Sequence, residues 1–259
     1  MKYPVILGDM TWSYSQITTY EDCKYKFFLS YLQGLKGEDM FFANYGIFVH
    51  DILGKYLSGD MKKSELGIHY LLNFKDNVIG RAPSFNIFNN YFEQGLNYLD
   101  NIDFPYDKAQ IVIVEKKENF SLNDKRFVGI LDCVVNDNDE LVIIDHKSRS
   151  LKQRSKRGKI TKTDAELDNY LRQLYIYSIP VYNTFGKYPS RLEFNCFRNN
   201  EIISEPFKTD TFKDVKKWAV GLIDEIENNE KWSPNLEFWK CSHLCKLHNE
   251  CEYFQANWG

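Results

Sequence analysis

The chain has 259 residues, 43% hydrophobic and 27% charged, with 33 Lys and Arg against 36 Asp and Glu for a formal net charge of −3, the profile of an ordinary globular domain with one well-covered core. Its N-terminus lacks the basic-then-apolar pattern of a secretory leader, and no apolar run approaches the roughly 18 residues that cross a bilayer as a helix, so a cytosolic protein is expected. Six cysteines in a reducing compartment are read as metal ligands or core thiols rather than disulfides.

Residues 13–34 are aromatic-rich and begin with serines able to cap a helix, and Gly34 can end it. The spacing predicts one helix with Cys23 in its middle. A second helix is predicted over 45–58, with His50 near its apolar face. Two further helical stretches, about 62–79 and 85–100, are divided by Arg81-Ala-Pro83 and form a helical insert or lid, about 60–105, beside a sheet. After Asp103-Phe-Pro105 the run Gln110–Phe120 alternates like a strand and carries Glu115.

Residues 127–147 read as two apolar runs joined by Asn136-Asp-Asn-Asp139, a β-hairpin whose polar turn stops one strand and starts the next. A turn centred between Asn138 and Asp139 sets Asp132 opposite Asp145, and strand alternation puts Lys147 on the same face as Asp145. Two carboxylates facing each other in an apolar sheet repel and lose hydration, so a cation belongs between them, and a divalent metal fits. The strip that leaves this strand, residues 147–162, holds eight Lys or Arg and no acid. In a chain of net −3, those eight charges leave −11 on the remainder. A basic strip on an acidic body aims one face at an anion.

A long helix is predicted over 164–186, with Gln173 and Tyr177 four residues apart on one face. A strand pair follows, Arg191–Arg198 and Glu201–Pro206, turned at Asn199-Asn200, and then a charged amphipathic helix over 208–229. The tail 232–259 reads as a loop bearing Cys241, Cys245 and Cys251. Cys133 and Cys196 fall in apolar strands as core residues. No internal repeat and no Gly-rich phosphate loop is present, so an ATP-driven motor is not expected in this chain.

In order, Gly46-x-x-x-His50, Glu115, Gly129-Ile-Leu-Asp132, Asp145-His-Lys147 and Gln173-x-x-x-Tyr177 resemble the RecB/AddB-like branch of the PD-(D/E)XK nuclease superfamily, with Asp145 where many relatives have Glu and Leu131 where the name-giving Pro would stand. The resemblance implies a single α/β (α+β) domain over 1–259: a central mixed sheet flanked by helices, a restriction-endonuclease-like core, an N-terminal helical part and a cysteine-rich tail. It implies Mg²⁺ or Mn²⁺ held by Asp132, Asp145, the His146 carbonyl and His50, the imidazole tilting the site toward Mn²⁺. Lys147 would orient or deprotonate water, Gln173 and Tyr177 would reach or order the scissile region, and Glu115 would help hold a metal or Lys147.

Cys23 with Cys241, Cys245 and Cys251 resembles the iron–sulphur staple of such nucleases, a [4Fe-4S] cluster pinning the chain ends. Zn²⁺ is the competing ligand, because His243 and His248 lie among the same cysteines. Arg149, Lys152, Arg154, Lys156, Arg157 and Lys159 are the phosphate-binding candidates.

The expected activity is a stand-alone, phage-type exonuclease on DNA that is single-stranded or has free ends, in the cytoplasm of a bacterium or phage-infected host. It would serve replication, recombination or repair, with proteins of those processes as possible partners. The rival readings are a CRISPR-adaptation-like end-trimming nuclease, a non-catalytic iron–sulphur DNA-end binding module, and a zinc-stapled RNA-processing protein.

Overall fold

The computed structural model describes residues 3–155 and 160–259. Its N-terminal part is helical: α1 (Pro4–Gly8), α2 (Tyr14–Asp22), α3 (Lys24–Phe27, continued by a wide turn over Phe28–Leu32), α4 (Phe41–Ser58), α5 (Leu66–Asn77) and α6 (Phe85–Asp100). The strands are β1 (Ile111–Leu122), β2 (Lys125–Asp137), β3 (Glu140–Lys147), β4 (Arg191–Cys196) and β5 (Glu201–Pro206). Helix α7 (Lys162–Phe185) links β3 to β4, and α8 (Thr209–Glu227), α9 (Phe238–Leu244) and α10 (Glu252–Trp258) follow. No helix among the described residues is long and apolar enough to cross a membrane.

The helix expected over 13–34 is broken. Cys23 is extended at φ −157°, ψ 107°, and its Sγ accepts the Lys26 amide, so the residue ends α2 and caps α3. A thiol that can cap serves as a restart point as readily as a mid-helix residue, and periodicity alone does not separate the two. The tail expected as a loop contains α9 and α10, each of seven residues. That is two turns of helix, too short to show an apolar period in sequence.

The five strands lie in the order β1-β2-β3-β4-β5. All neighbours are antiparallel except β3 and β4, which run parallel and are joined by the long crossover through α7. The β2–β3 turn has Asn138 and Asp139 both at positive φ, 52° and 67°, a left-handed pair of the kind that matches strand twist in a two-residue hairpin. The pairs Asp137↔Glu140 through Cys133↔Ile144 carry the register to Asp132 and Asp145 at the next rung. Asn and Asp tolerate that conformation better than most residues, which is why the turn was legible.

One core lies between the sheet and α2, α7 and α8, built around Trp12, Phe27, Leu131, Ile143, Leu174 and Phe194. A second, aromatic core joins α4, α5 and α6, with Tyr45, Phe48, Tyr70, Phe74 and Phe197 buried together. Tyr177 belongs to the first core and lies flat on β2 because Gly129 has no side chain: a Cβ there would sit 2.5 Å from Tyr177 Cε1. Gly129→Ala is therefore expected to cost about 1–3 kcal/mol in urea unfolding, as overpacked cores do. Combined with Tyr177→Ala its cost should shrink, and strict additivity in that double-mutant cycle would exclude the contact as the cause.

Candidate metal and catalytic site

Helix α4 lays one face on the sheet end through residues four apart. A Cβ on Gly46 would meet Ser148 Oγ at 3.4 Å, and one on Gly54 would meet Glu115 Cγ at 2.9 Å. Between them His50 places Nε2 2.7 Å from the His146 carbonyl oxygen and Nδ1 3.5 Å from Asp132 Oδ2. Burial lowers the His50 pKa against the opposing pull of Asp145, which favours the neutral imidazole that metals bind. The His50 Nε2 contact also covers the carbonyl expected as a ligand. Gly54 was missed in sequence, although it continues the Gly46–His50 spacing by one further turn.

The β1–β2 ribbon bends where Glu115 faces Asp132. Glu115 is left-handed at φ 44°, rare for a non-glycine residue within a strand. The rungs Val114↔Cys133 and Lys116↔Leu131 flank it, and side-chain alternation resets across it. Even-numbered Phe120 and Leu122 share a core with odd-numbered Ile113, as odd-numbered Phe127 and Leu131 do with even-numbered Val134. The bend turns the two carboxylates toward His50. His50, Glu115 and Asp132 each offer a donor atom within 4.8 Å of the others.

Asp145 and Lys147 share a face of β3, and the ammonium lies 2.7 Å from Asp145 Oδ2. Lys147 Nζ also donates to Gln173 Oε1 at 3.0 Å, so α7 holds the lysine from the opposite side. Burial pulls the Lys147 pKa down, but the Asp145 and Asp132 carboxylates outweigh it and leave the ammonium above its ordinary range. Asp132 is held well above the usual carboxylate range by burial and by Asp145, with the His146 amide opposing at 2.9 Å from Oδ2. Loss of hydration, then Asp145 and Asp51, lift Glu115 to about 7. Tyr177 is pushed up to about 12, chiefly by burial.

The His146 side chain points to the other side of the sheet, where its Nδ1 receives Asn195 Nδ2 at 3.0 Å and Asn195 also donates to the Tyr98 hydroxyl. Its backbone thus touches both Asp132 and His50 while its ring is anchored to the insert helix α6. That anchoring had no sequence signal beyond an Asn in a strand. Burial and mutual repulsion favour the protonated forms of Asp132 and Glu115, and a divalent cation would supply the charge that lets them ionise beside Asp145 and Lys147. Carboxylate and imidazole donors suit Mn²⁺ or Mg²⁺.

Beside Gln173 a groove of about 590 Å³ runs between α2 and α7, lined by Tyr14, Thr18, Lys26, Arg149, Tyr170 and Arg172 among others. Arg149 is exposed on its rim and contacts Glu166 and the Tyr170 hydroxyl. Lys152 is exposed. Arg154 is engaged by Glu205 and Asp168, so its charge is already compensated. Lys156, Arg157 and Lys159 lie outside the described residues.

Cys23, Cys241, Cys245 and Cys251 line one apolar pocket with Leu29 and Phe254, so the chain ends meet there. Cys23 Sγ accepts the Lys26 and Asn235 amides, both at 3.4 Å. Burial raises the Cys245 and Cys251 thiols. Among the described residues these thiols do not gather within the 4.8 Å that unites His50, Glu115 and Asp132. His248 lines the pocket, whereas His243 packs edge-on against Trp239. Cys133 and Cys196 are fully buried in strands.

A family model described as the PD-(D/E)XK nuclease superfamily matches residues 11–252. A comparison with curated protein sequences gives no match. Among solved structures, twelve chains match. One is that of a "putative exonuclease" from Eubacterium rectale, with a TM-score of 0.51 and 13% identity over 95% of this chain and 88% of that one. At that identity the likeness concerns the fold.

Two outcomes follow from the bend and its acids. Glu115→Gly removes a left-handed side chain that costs about 1–3 kcal/mol. Its metal-free melting temperature should equal or exceed that of the wild type, while the rise on adding Mn²⁺ shrinks; a large metal-free loss would contradict the strain. Asp132 and Glu115 have folded-state pKa values raised above their unfolded ones. Their contribution to stability is thus complete below the unfolded values and lost as pH climbs through the folded ones, about 7 for Glu115. Mn²⁺ binding that needs both ionised releases protons, so the Mn²⁺-induced melting shift should be small at pH 5.5 and larger at pH 8 in differential scanning fluorimetry.

Proposed function

The chain belongs to the PD-(D/E)XK nuclease superfamily, and we propose that it is a Mg²⁺- or Mn²⁺-dependent deoxyribonuclease, working as an exonuclease on single-stranded DNA ends. The observation that carries this reading is the convergence of His50, Glu115 and Asp132 beside an Asp145–Lys147–Gln173 chain. His50, Asp132 and Asp145, with Glu115 and the His146 carbonyl beside them, are the residues that would hold the cation. Bound there, it would neutralise charge developing on the phosphate and acidify the attacking water.

The side chains divide the remaining work. Lys147 is held as an ammonium by Asp145, and once that carboxylate is engaged elsewhere its charge is free to orient water and balance phosphate oxygens. Gln173 limits where the ammonium can swing, accepting from it at 3.0 Å. Tyr177, on the next turn of α7, fills the space over Gly129 and supports Gln173 from below. The His146 amide fixes Asp132 Oδ2, and α4 delivers His50 to the same carboxylate. Arg149 on the groove rim and exposed Lys152 are the phosphate contacts this reading favours.

Cys23, Cys241, Cys245 and Cys251 would hold a [4Fe-4S] cluster, which supplies structural cross-linking of the chain ends in this reading. The apolar pocket shared by four thiols and the amide donors to Cys23 Sγ support this reading. The setting is the cytosolic handling of bacterial or phage DNA in replication, recombination or repair.

End-labelled single-stranded DNA with Mn²⁺ tests the activity. Wild type should degrade it, and Lys147→Ala should lose 10²–10⁴-fold in rate while still binding. A wild type that never cleaves would leave a binding module, and equal cleavage of RNA would remove the preference for DNA. Protein purified anaerobically should be brown and hold iron at the cysteines; a colourless protein with stoichiometric zinc would establish the Cys₃His alternative with His248.

A further inference from the structure

The α4 face that carries Gly46, His50 and Gly54 begins one turn earlier with Phe42, at the same four-residue spacing. At 1.5 Å per residue, Phe42 lies about 12 Å along the helix from His50. Its ring does not stand alone. Trp239 of α9 packs at 6.5 Å from it and is 48% exposed, and Tyr91 of α6 packs at 5.1 Å. The Arg198 guanidinium lies 3.8 Å over Tyr91, held by Gln94. Three separate parts of the chain thus supply one aromatic surface, and the most exposed ring on it is Trp239. An indole with nearly half its surface in water, packed among other rings, leaves an aromatic face open to a ligand.

The charges around this surface select that ligand. Arg149, which leaves the β3 strand two residues after Lys147, lines the α2–α7 groove that ends at Gln173. Lys240, next to Trp239, is compensated by Asp22, as Arg149 is by Glu166, whereas Arg198 is held over Tyr91 by the neutral Gln94 and Tyr91 side chains and keeps its charge for an anion. Aromatic rings beside that guanidinium, reached from the α4 face that carries His50, have the makeup of a site for unpaired nucleotides: bases stack on rings while a phosphate meets the cation.

We propose that Trp239, backed by Phe42 and Tyr91, is a stacking platform for an unpaired base of the substrate strand, a few nucleotides from the phosphate at His50 and Asp132. This rests on the nuclease reading for the identity of the strand, and it adds where that strand lies. The platform recognises any base through its π-face and excludes a paired one, whose faces are already stacked, so it gives the site its preference for single strands. It also assigns a role to the cysteine tail, which carries Trp239 two residues before Cys241 and fixes it against α4.

The test uses full-length protein bearing Asp145→Asn to stop cleavage, with Ca²⁺ present, and measures binding of a labelled oligothymidylate by anisotropy. Trp239→Ala should weaken binding about 5–150-fold, the range for loss of one base–aromatic stack, and Trp239→Phe should recover most of it. A series of oligothymidylates with a single abasic position scanned inward from each end supplies the structural control. One position should weaken binding to the parent protein and cost nothing further in Trp239→Ala. Unchanged affinity in Trp239→Ala overturns the platform, as a protein partner on this surface would predict. Equal weakening for intact and abasic strands also overturns it, because that marks a disturbed tail rather than a lost stack. Failure of the nuclease reading is told apart by the wild type: a protein that never cuts yet shows the position-specific abasic effect keeps the platform and loses the catalysis.

Discussion

Everything at this site follows from bringing carboxylates together where water is scarce. Asp145 is 3% exposed, and its carboxylate adds to the burial that raises the cost of ionising Asp132. An isolated buried pair of this kind would protonate or push the strands apart. The fold instead surrounds it with compensation: the Lys147 ammonium on one side, the His146 amide on Asp132, and His50 poised across both. That compensation falls short once all three acids ionise, since one ammonium cannot balance Asp132, Asp145 and Glu115 together. The site is therefore a standing demand for a divalent cation.

Much of this was legible in the linear chain because hairpins translate sequence distance into spatial position. Asn138 and Asp139 tolerate the left-handed turn, so Asp132 and Asp145 had to meet, and alternation had to bring Lys147 to the same face. Gln173 and Tyr177 were legible for the analogous reason that a helix repeats near every fourth residue. Glu115 was readable as a neighbour on the preceding strand, but its conformation was not. A left-handed glutamate resets the alternation on which strand reading depends, and nothing in Glu-Lys-Lys-Glu announces that reset. Cys23 escaped in the same way: its neighbours all favour helix, and only a thiol that accepts an amide at the start of α3 reveals the break.

Helix α4 acts as the ruler of the site. Phe42, Gly46, His50 and Gly54 occupy successive turns, and each meets a different part of the molecule: the tail and α6, the end of β3, the carboxylates, and the bend in β1. Two of the four are glycines because a helix can approach a strand end and a bent ribbon this closely only where side chains are absent. Any shift of α4 along its axis would move His50 and the aromatic surface together. The second aromatic core, which clamps α4 between α5 and α6, accordingly fixes where His50 stands relative to the carboxylates.

The strain at Glu115 and the break at Cys23 have a common logic. Both are places where a regular element would have been more stable, and both redirect the chain so that distant segments converge: the bend aims a carboxylate at α4, and the break lets α2 wall the groove while Cys23 turns toward the tail. Strained positions of this kind persist only when their surroundings over-determine them. Here Glu115 Cγ packs into the space that Gly54 leaves on α4, and Asn235 ties Cys23 from the tail through both its amide and its side chain to the backbone of Asp22. Local stability is given up at two points, and the return is a carboxylate cluster under α4 and a pocket of four cysteines that joins the two ends of the chain.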